Sequence, residues 1–114
     1  MLVYRSGANT INNFTPAVKD TTGARKGLST MSAEADVLGN KAQIIDTDLL
    51  GDTLTYVENG GGRNSHVSIL PAGDDASDTL LKEWATAKMV NNKGGFVHAR
   101  STAVSNARTG EWKK

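Results

Sequence analysis

Two histidines and no cysteine leave this chain few groups able to move a proton near neutral pH. His66 is the sharper of the two. It follows Glu58 to Ser65 (ENGGGRNS), a run whose glycines mark a hairpin-type loop, and it opens His66-Val67-Ser68-Ile69-Leu70. Alternate side chains of an extended segment share a face, so Val67 and Ile69 lie on one side and His66, Ser68 and Leu70 on the other. An imidazole with an ordinary pKa of ~6.5 gives or takes a proton at neutral pH, as a hydrolase or transferase acting on a sugar hydroxyl requires. The plainer reading is a surface histidine that starts a strand; Ser68, pointing the same way, tips the balance towards chemistry.

Cations and hydroxyls gather earlier in the chain. Arg5 ends an apolar segment directly before Ser6-Gly7, where a long cation can reach over a cleft and grip a phosphate through two N–H groups. Its plainer role is an edge-strand arginine. Lys19-Asp20-Thr21-Thr22-Gly23, Arg25-Lys26 and Gly27-Leu28-Ser29-Thr30 place three cations and four hydroxyls within twelve residues. That mixture fits a phosphodiester, although Asp-Thr-Thr-Gly is also ordinary turn chemistry. His98 and Arg100 either extend such a face or are simply solvated. Asp46, Asp48, Asp74 and Asp75 supply carboxylates with no histidine nearby, a pattern compatible with calcium or magnesium but too unspecific for a metal to be assigned. Gly60-Gly61-Gly62-Arg63 lacks the spacing and the downstream Lys-Ser/Thr pair of a nucleotide-triphosphate loop.

The rest of the chain must position these groups with little apolar material. Ile, Leu, Val and Phe make 23 of 114 residues, and Ser, Thr, Asn and Gly make 41, which predicts a thin core, short elements and much turn. The length corresponds to one domain, residues 1–114. The absence of cysteine excludes disulfides, thiolate metal sites and a catalytic thiol. No apolar run approaches the roughly 20 residues of a membrane span, and MLVYRSG lacks a signal-peptide pattern. A formal net charge of +1 hides an uneven distribution: +3 over residues 1–33, −7 over 34–83 and +5 over 84–114. The two ends therefore predict one basic face, able to hold a phosphate backbone or merely to be solvated, and the middle an acidic one.

Leu2-Val3-Tyr4-Arg5 reads as an opening strand, and residues 8–26, polar and holding Pro16, as an ordered loop or a single helical turn. Ser32 to Leu38, closed by Gly39-Asn40, reads as a short helix with a serine cap. Strands are expected over Ala42 to Thr47, Thr53 to Val57 and His66 to Leu70, with Pro71 as a stop. Asp74 or Asp75 caps a helix over about 76–89, where Leu80, Leu81, Trp84 and Lys88 share a face and Trp84 belongs to the core. Phe96 to Ala99 reads as a strand followed by a weak helix, with Trp112 near the end either packed or exposed. The expected architecture is α+β: a small, mostly antiparallel sheet of three to five strands with two or three short helices packed on one side.

The order of motifs carries further than any one of them. Tyr4-Arg5-Ser6-Gly7, Asn13-Phe14-Thr15-Pro16 running into Lys19-Asp20-Thr21-Thr22-Gly23, then Gly27-Leu28-Ser29-Thr30, Lys41-Ala42-Gln43-Ile44-Ile45-Asp46-Thr47, His66-Val67-Ser68-Ile69-Leu70-Pro71 and Leu81-Lys82-Glu83-Trp84-Ala85 form the series. It resembles the C-terminal toxin domains of bacterial polymorphic toxins, carried by contact-dependent growth inhibition effectors and Rhs-repeat proteins. The resemblance spans about residues 3–85 and fades after residue 90. It implies a domain delivered as part of a larger effector into the cytoplasm of a competing bacterium and neutralised by a cognate immunity protein. Many such domains are ribonucleases of the superfamily of barnase, EndoU, colicin and RelE toxins, cleaving transfer or ribosomal RNA with no cofactor or metal. Mapped by residue type, His66 is then the general acid or base, Arg5 and Lys19 stabilise the phosphate, and Thr22, Ser29 and Ser68 donate hydrogen bonds. Arg25, Lys26 and Arg63 are the expected substrate-binding cations. One departure stands out: Ala17 follows Pro16 where the pattern implies a basic residue, which points to a weakened form.

Two other classes compete. Arg5 on a first strand, Ser29-Thr30 on a second and a late Glu111 imitate the order of an ADP-ribosyltransferase toxin, although Thr109 stands where a second Glu or Gln would precede Glu111. A non-enzymatic module that docks nucleic acid or an acidic protein on its basic face is the other.

Overall fold

The computed structural model describes residues 1–62, 64–73 and 77–114, with the side chains of 77 and 91–94 excepted. Strands β1 (Leu2–Ser6), β2 (Leu28–Met31), β3 (Lys41–Asp46), β4 (Leu54–Glu58), β5 (His66–Pro71) and β6 (Arg108–Lys113) form one sheet in the order β4-β5-β2-β1-β3-β6. Every pairing is antiparallel. The helices are α1 (Ser77–Gly94) and α2 (Ala99–Asn106). The α+β class therefore stands, with six strands in place of the three to five expected.

The core follows from strand alternation. Val3 on β1, Leu28 on β2, Ile45 on β3, Leu54 on β4 and Val67 and Ile69 on β5 are buried and pack with Phe14, Leu81, Trp84 and Val104. On α1 the spacing of Leu81, Trp84, Ala85 and Lys88 turns one stripe inward, as the i, i+4 rule requires. Trp84 is fully buried, so its ring N–H needs an acceptor, and Ser101 Oγ on α2 lies 2.8 Å away.

The expected elements depart from the observed ones where side chains act on the backbone. Ser32 to Leu38 is not a helix but a single 3-10 turn at Glu34–Asp36. Its polar groups are spent on the sheet: Tyr4 Oη donates to Glu34, and Ser65 donates to Asp36 through both N–H and Oγ. Phe96 to Ala99 is not a strand, because His98 Nδ1 accepts from the Arg100 N–H and starts α2 at Ala99. The strand after α2, β6, reads as RTGEWK with one β-branched residue, and it exists by pairing with β3 from Lys41↔Lys113 to Ile45↔Arg108. Residues 8–26 hold two 3-10 turns, Asn12–Phe14 and Val18–Thr21, rather than one. Helix α1 runs on to Gly94, beyond the expected end near 89. Asp74 and Asp75, the expected caps, lie outside the described residues.

Gly27 is the tight point of this packing. Its φ is +121°, and a Cβ there would stand 2.8 Å from the Ile69 carbonyl oxygen on β5 and 3.0 Å from Ser68 Cβ. Gly27→Ala is expected to destabilise the fold by about 1–3 kcal/mol, read as a lower denaturant midpoint; Gly51→Ala, also at positive φ but with nothing within 4 Å, is the milder control.

Candidate functional site

The sheet is pulled open between β1 and β2. These strands pair at Tyr4↔Met31 alone, whereas β1 and β3 pair over five positions. Beyond that single pair Arg5, Ser6, Ser29 and Thr30 line a cleft of about 120 Å³, closed by Met31, Val37 and Leu38. The Arg5 guanidinium bridges the gap. Its Nε donates to the Asn13 carbonyl at 2.8 Å and its Nη1 to the Ser29 carbonyl at 3.0 Å. Burial lowers its pKa, and the nearby Asp20 carboxylate acts in the opposite sense.

His66 stands behind Ser29. The registers Ser29↔Ser68 and Met31↔His66 put these four side chains on one face of the β2–β5 pair, and His66 is only 6% exposed. Ser29 Oγ lies 2.8 Å from His66 Nε2, and Asn59 Oδ1 lies 2.5 Å from His66 Nδ1. Asn59 reaches this place because the β4–β5 hairpin continues past Glu58↔Val67, where the Asn59 N–H donates to the His66 carbonyl. Asn59 Nδ2 donates in turn to Ser68 Oγ at 2.9 Å, and Ser68 Oγ donates to the Arg25 carbonyl at 3.2 Å. Burial pushes the His66 pKa down, the Arg25 cation lowers it further, and Asp20 opposes both. His66 is therefore neutral at pH 7. A neutral imidazole with a hydroxyl on one nitrogen and a fixed partner on the other is the arrangement of a base beside an activated hydroxyl.

A second group of charges gathers across the loop. Lys88 on α1 has its pKa lowered by burial first, then by Arg5, with Lys19 adding to the effect and Asp20 opposing it. Lys88 Nζ donates to the Thr15 carbonyl at 3.2 Å. Cations from the two ends of the chain thus meet around Asp20.

The structure accordingly brings together His66, Ser29, Ser68 and Arg25, with Arg5 at the cleft. Lys19 and Thr22 sit exposed on the 3-10 turn and its end, away from the hydrogen bonds of His66. Lys26 is engaged elsewhere, paired with Asp78 at 2.5 Å. Arg63 lies outside the described residues. Ala17 precedes the turn and its N–H donates to Asp20 at 3.3 Å. His98 is a helix cap rather than a solvated group, and Trp112 is a half-buried strand residue opposite Ala42. Asn59 and Lys88 are the groups that sequence reasoning left out of the site. Counting the hairpin register outward from Glu58 and Val67 places Asn59 opposite His66; Lys88 carries no such signal. Among the described residues no cluster of three metal-ligating side chains occurs, and no helix is long and apolar enough to cross a membrane.

No protein-family model matches the chain, and neither does any curated protein or solved structure.

The two histidines set a pH dependence. His98 is also held below its ordinary pKa, by burial first and then by Arg100. With both folded values under the unfolded ~6.5, the unfolded chain binds more protons at lower pH, so stability falls as pH drops below ~6.5. Above that value neither histidine contributes. Denaturant unfolding is expected to be flat from about pH 8 to 7 and to weaken from about 6.5 downward. His66→Gln and His98→Gln should each flatten part of that slope, and an unchanged slope in the double variant refutes the assignment.

Proposed function

We propose that this chain is a toxin domain that cleaves RNA, transfer or ribosomal, by general acid–base catalysis. The observation that carries the reading is that Ser29, a residue lining the cleft, has its hydroxyl 2.8 Å from Nε2 of the buried His66. A ribose 2′-hydroxyl seated in the cleft gives its proton to Ser29 Oγ as the Ser29 proton passes to His66 Nε2. The 2′-oxygen attacks the adjacent phosphorus, the P–O5′ bond breaks, and the departing 5′-oxygen takes a proton from water. Arg5 at the cleft and Arg25 beside His66 offset the charge that develops on the phosphate. Lys19, Thr22 and Lys88 serve flanking phosphates. The resemblance in motif order adds delivery by a larger effector and neutralisation by an immunity protein.

The test is incubation with total bacterial RNA in the presence of a chelator. Wild type is expected to cut; His66→Gln and Ser29→Ala should lose about 10²-fold or more, while His98→Gln retains activity. Ala17→Arg restores the expected cation and should cut faster. Intact RNA with both wild type and Ala17→Arg overturns the proposal.

A second reading, ADP-ribosyl transfer, is favoured by one observation: Arg5 and Ser29-Thr30 line the same opening on adjacent strands. Glu111 does not join them. It sits on β6, beyond β3, where its carboxylate accepts from Gln43 Nε2 at 2.9 Å. Glu34 accepts from the hydroxyl of Tyr4, a residue that lines this opening, at 3.3 Å. Nicotinamide released from NAD⁺ with RNA left intact would select this reading. A binding module, by contrast, would keep its affinity in His66→Gln.

A further inference from the structure

The geometry points to Asn59 and Ser68 as positioning residues that hold His66 in one tautomer, with the proton on Nδ1 and the lone pair on Nε2 facing Ser29. This rests on the reading of His66 as the base, but its reasoning starts from the backbone.

A carbonyl oxygen can only accept, so two carbonyls give the network a direction. The Arg25 carbonyl lies 3.2 Å from Ser68 Oγ, which obliges the Ser68 hydroxyl to donate there. Ser68 has no second proton, so its oxygen accepts from the Asn59 amide group 2.9 Å away. The Ala24 carbonyl, 3.4 Å from the same Asn59 atom, independently requires that atom to be nitrogen. Asn59 therefore turns its Oδ1 to His66, and Oδ1 can only accept. His66 must carry its proton on Nδ1, which leaves Nε2 as acceptor and obliges Ser29 Oγ to donate to it. Both lone pairs of Ser29 Oγ are then left to accept, and Ser29 is one of the residues that line the cleft. Four side chains and two carbonyls agree on one direction, from Ser29 to the carbonyls of the loop before β2.

Ser68 is fully buried and its face of β5 is the one that sequence alternation shares with His66. A structural serine would suit that place equally well. The readout must therefore be the proton, not stability. In the opposite tautomer Nε2 would carry a hydrogen and Ser29 would lose its base, with no change in packing.

The experiment is histidine side-chain ¹⁵N NMR on the full chain at about pH 8, where an ordinary imidazole is neutral. Wild type is expected to show a protonated Nδ1 and a bare Nε2 on His66. Asn59→Leu, which removes the acceptor, should show Nε2–H and lose RNA cleavage by about 10²-fold. Asn59→Asp keeps an oxygen at the same place and should retain the Nδ1–H form and most of the cleavage. A wild-type spectrum with Nε2–H, or an Asn59→Leu spectrum unchanged from wild type, overturns the inference. The wild-type spectrum decides the matter if Asn59→Leu does not fold. Because the spectrum needs no substrate, an Nδ1–H tautomer in a protein that leaves RNA intact supports this inference while the proposed function fails.

Discussion

The arrangement turns on one half-buried guanidinium, that of Arg5. Strand β1 joins the β4-β5-β2 half of the sheet to the β3-β6 half, yet it meets β2 at a single pair. Past that pair the main-chain groups of two strands would face an opening with their ladder unmade, and an unpaired buried carbonyl costs about 1–3 kcal/mol. Arg5 fills the role of the missing ladder by donating to the Ser29 carbonyl. The same side chain donates to the Asn13 carbonyl, so it also seats the loop that crosses from β1 to β2. An ordinary hydrogen-bonded strand pair would close the opening, and an apolar residue would leave two carbonyls without partners. A long cation with several donors can hold the strands apart and still satisfy both.

Holding the strands apart exposes one side of β2 to the cleft while its other side stays paired to β5. Ser29 is the residue at which these two environments meet. Its carbonyl belongs to Arg5, its side chain to His66, and its surface to the cleft. The imidazole behind it is buried on a face where Ser68 and Asn59 supply neutral partners, and desolvation without a carboxylate in contact favours the uncharged ring. The neutral partners of His66 thus follow from how the hairpin β4–β5 closes, and the charges that act on it, Arg25 and Asp20, from the loop before β2.

Much of this was legible in the chain and the rest was hidden for physical reasons. Alternation in HVSIL placed Val67 and Ile69 in the core and His66 with Ser68 opposite, and the β-branched pair Ile44-Ile45 marked β3. The segments that misled are those where a side chain overrules local preference. Ser32 to Leu38 carries helix punctuation, but Glu34 and Asp36 bond to Tyr4 and Ser65, thirty and 29 residues away, and the turn never lengthens. FVHA has strand composition, but the His98 imidazole caps the next helix. RTGEWK gives almost no strand signal, because an edge strand draws its order from its neighbour. In the site, the residue types were readable and the partners were not: Arg5 is a main-chain clamp, Lys26 is held by Asp78, and Asn59 sat inside a segment whose glycines read only as loop.

The shortage of apolar residues bears directly on how the site is held. A hydrophobic contact leaves a loop free to slide by a fraction of an ångström, whereas a hydrogen bond fixes distance and angle. In this chain the loop of residues 8–26 is seated by a second directed series: Trp84 Nε1 donates to Ser101 Oγ, which lies 2.6 Å from Thr15 Oγ1, which donates to the Ile11 carbonyl. Lys88 adds a bond to the Thr15 carbonyl. Trp84, Ser101 and Thr15 are among the most deeply buried groups of the molecule. Threonine and serine that thin the core in composition therefore index the loop in space, and that loop carries Asp20 and Arg25, whose opposite charges act on His66. The charge asymmetry along the chain has the same resolution. Lys88 comes from the basic C-terminal segment and Arg5 and Lys19 from the basic N-terminal one, and the fold sets them around Asp20, the one acidic residue of the first 33. A cluster of cations with a single carboxylate among them keeps a net positive field beside the opening while limiting the repulsion that would otherwise spread the loop.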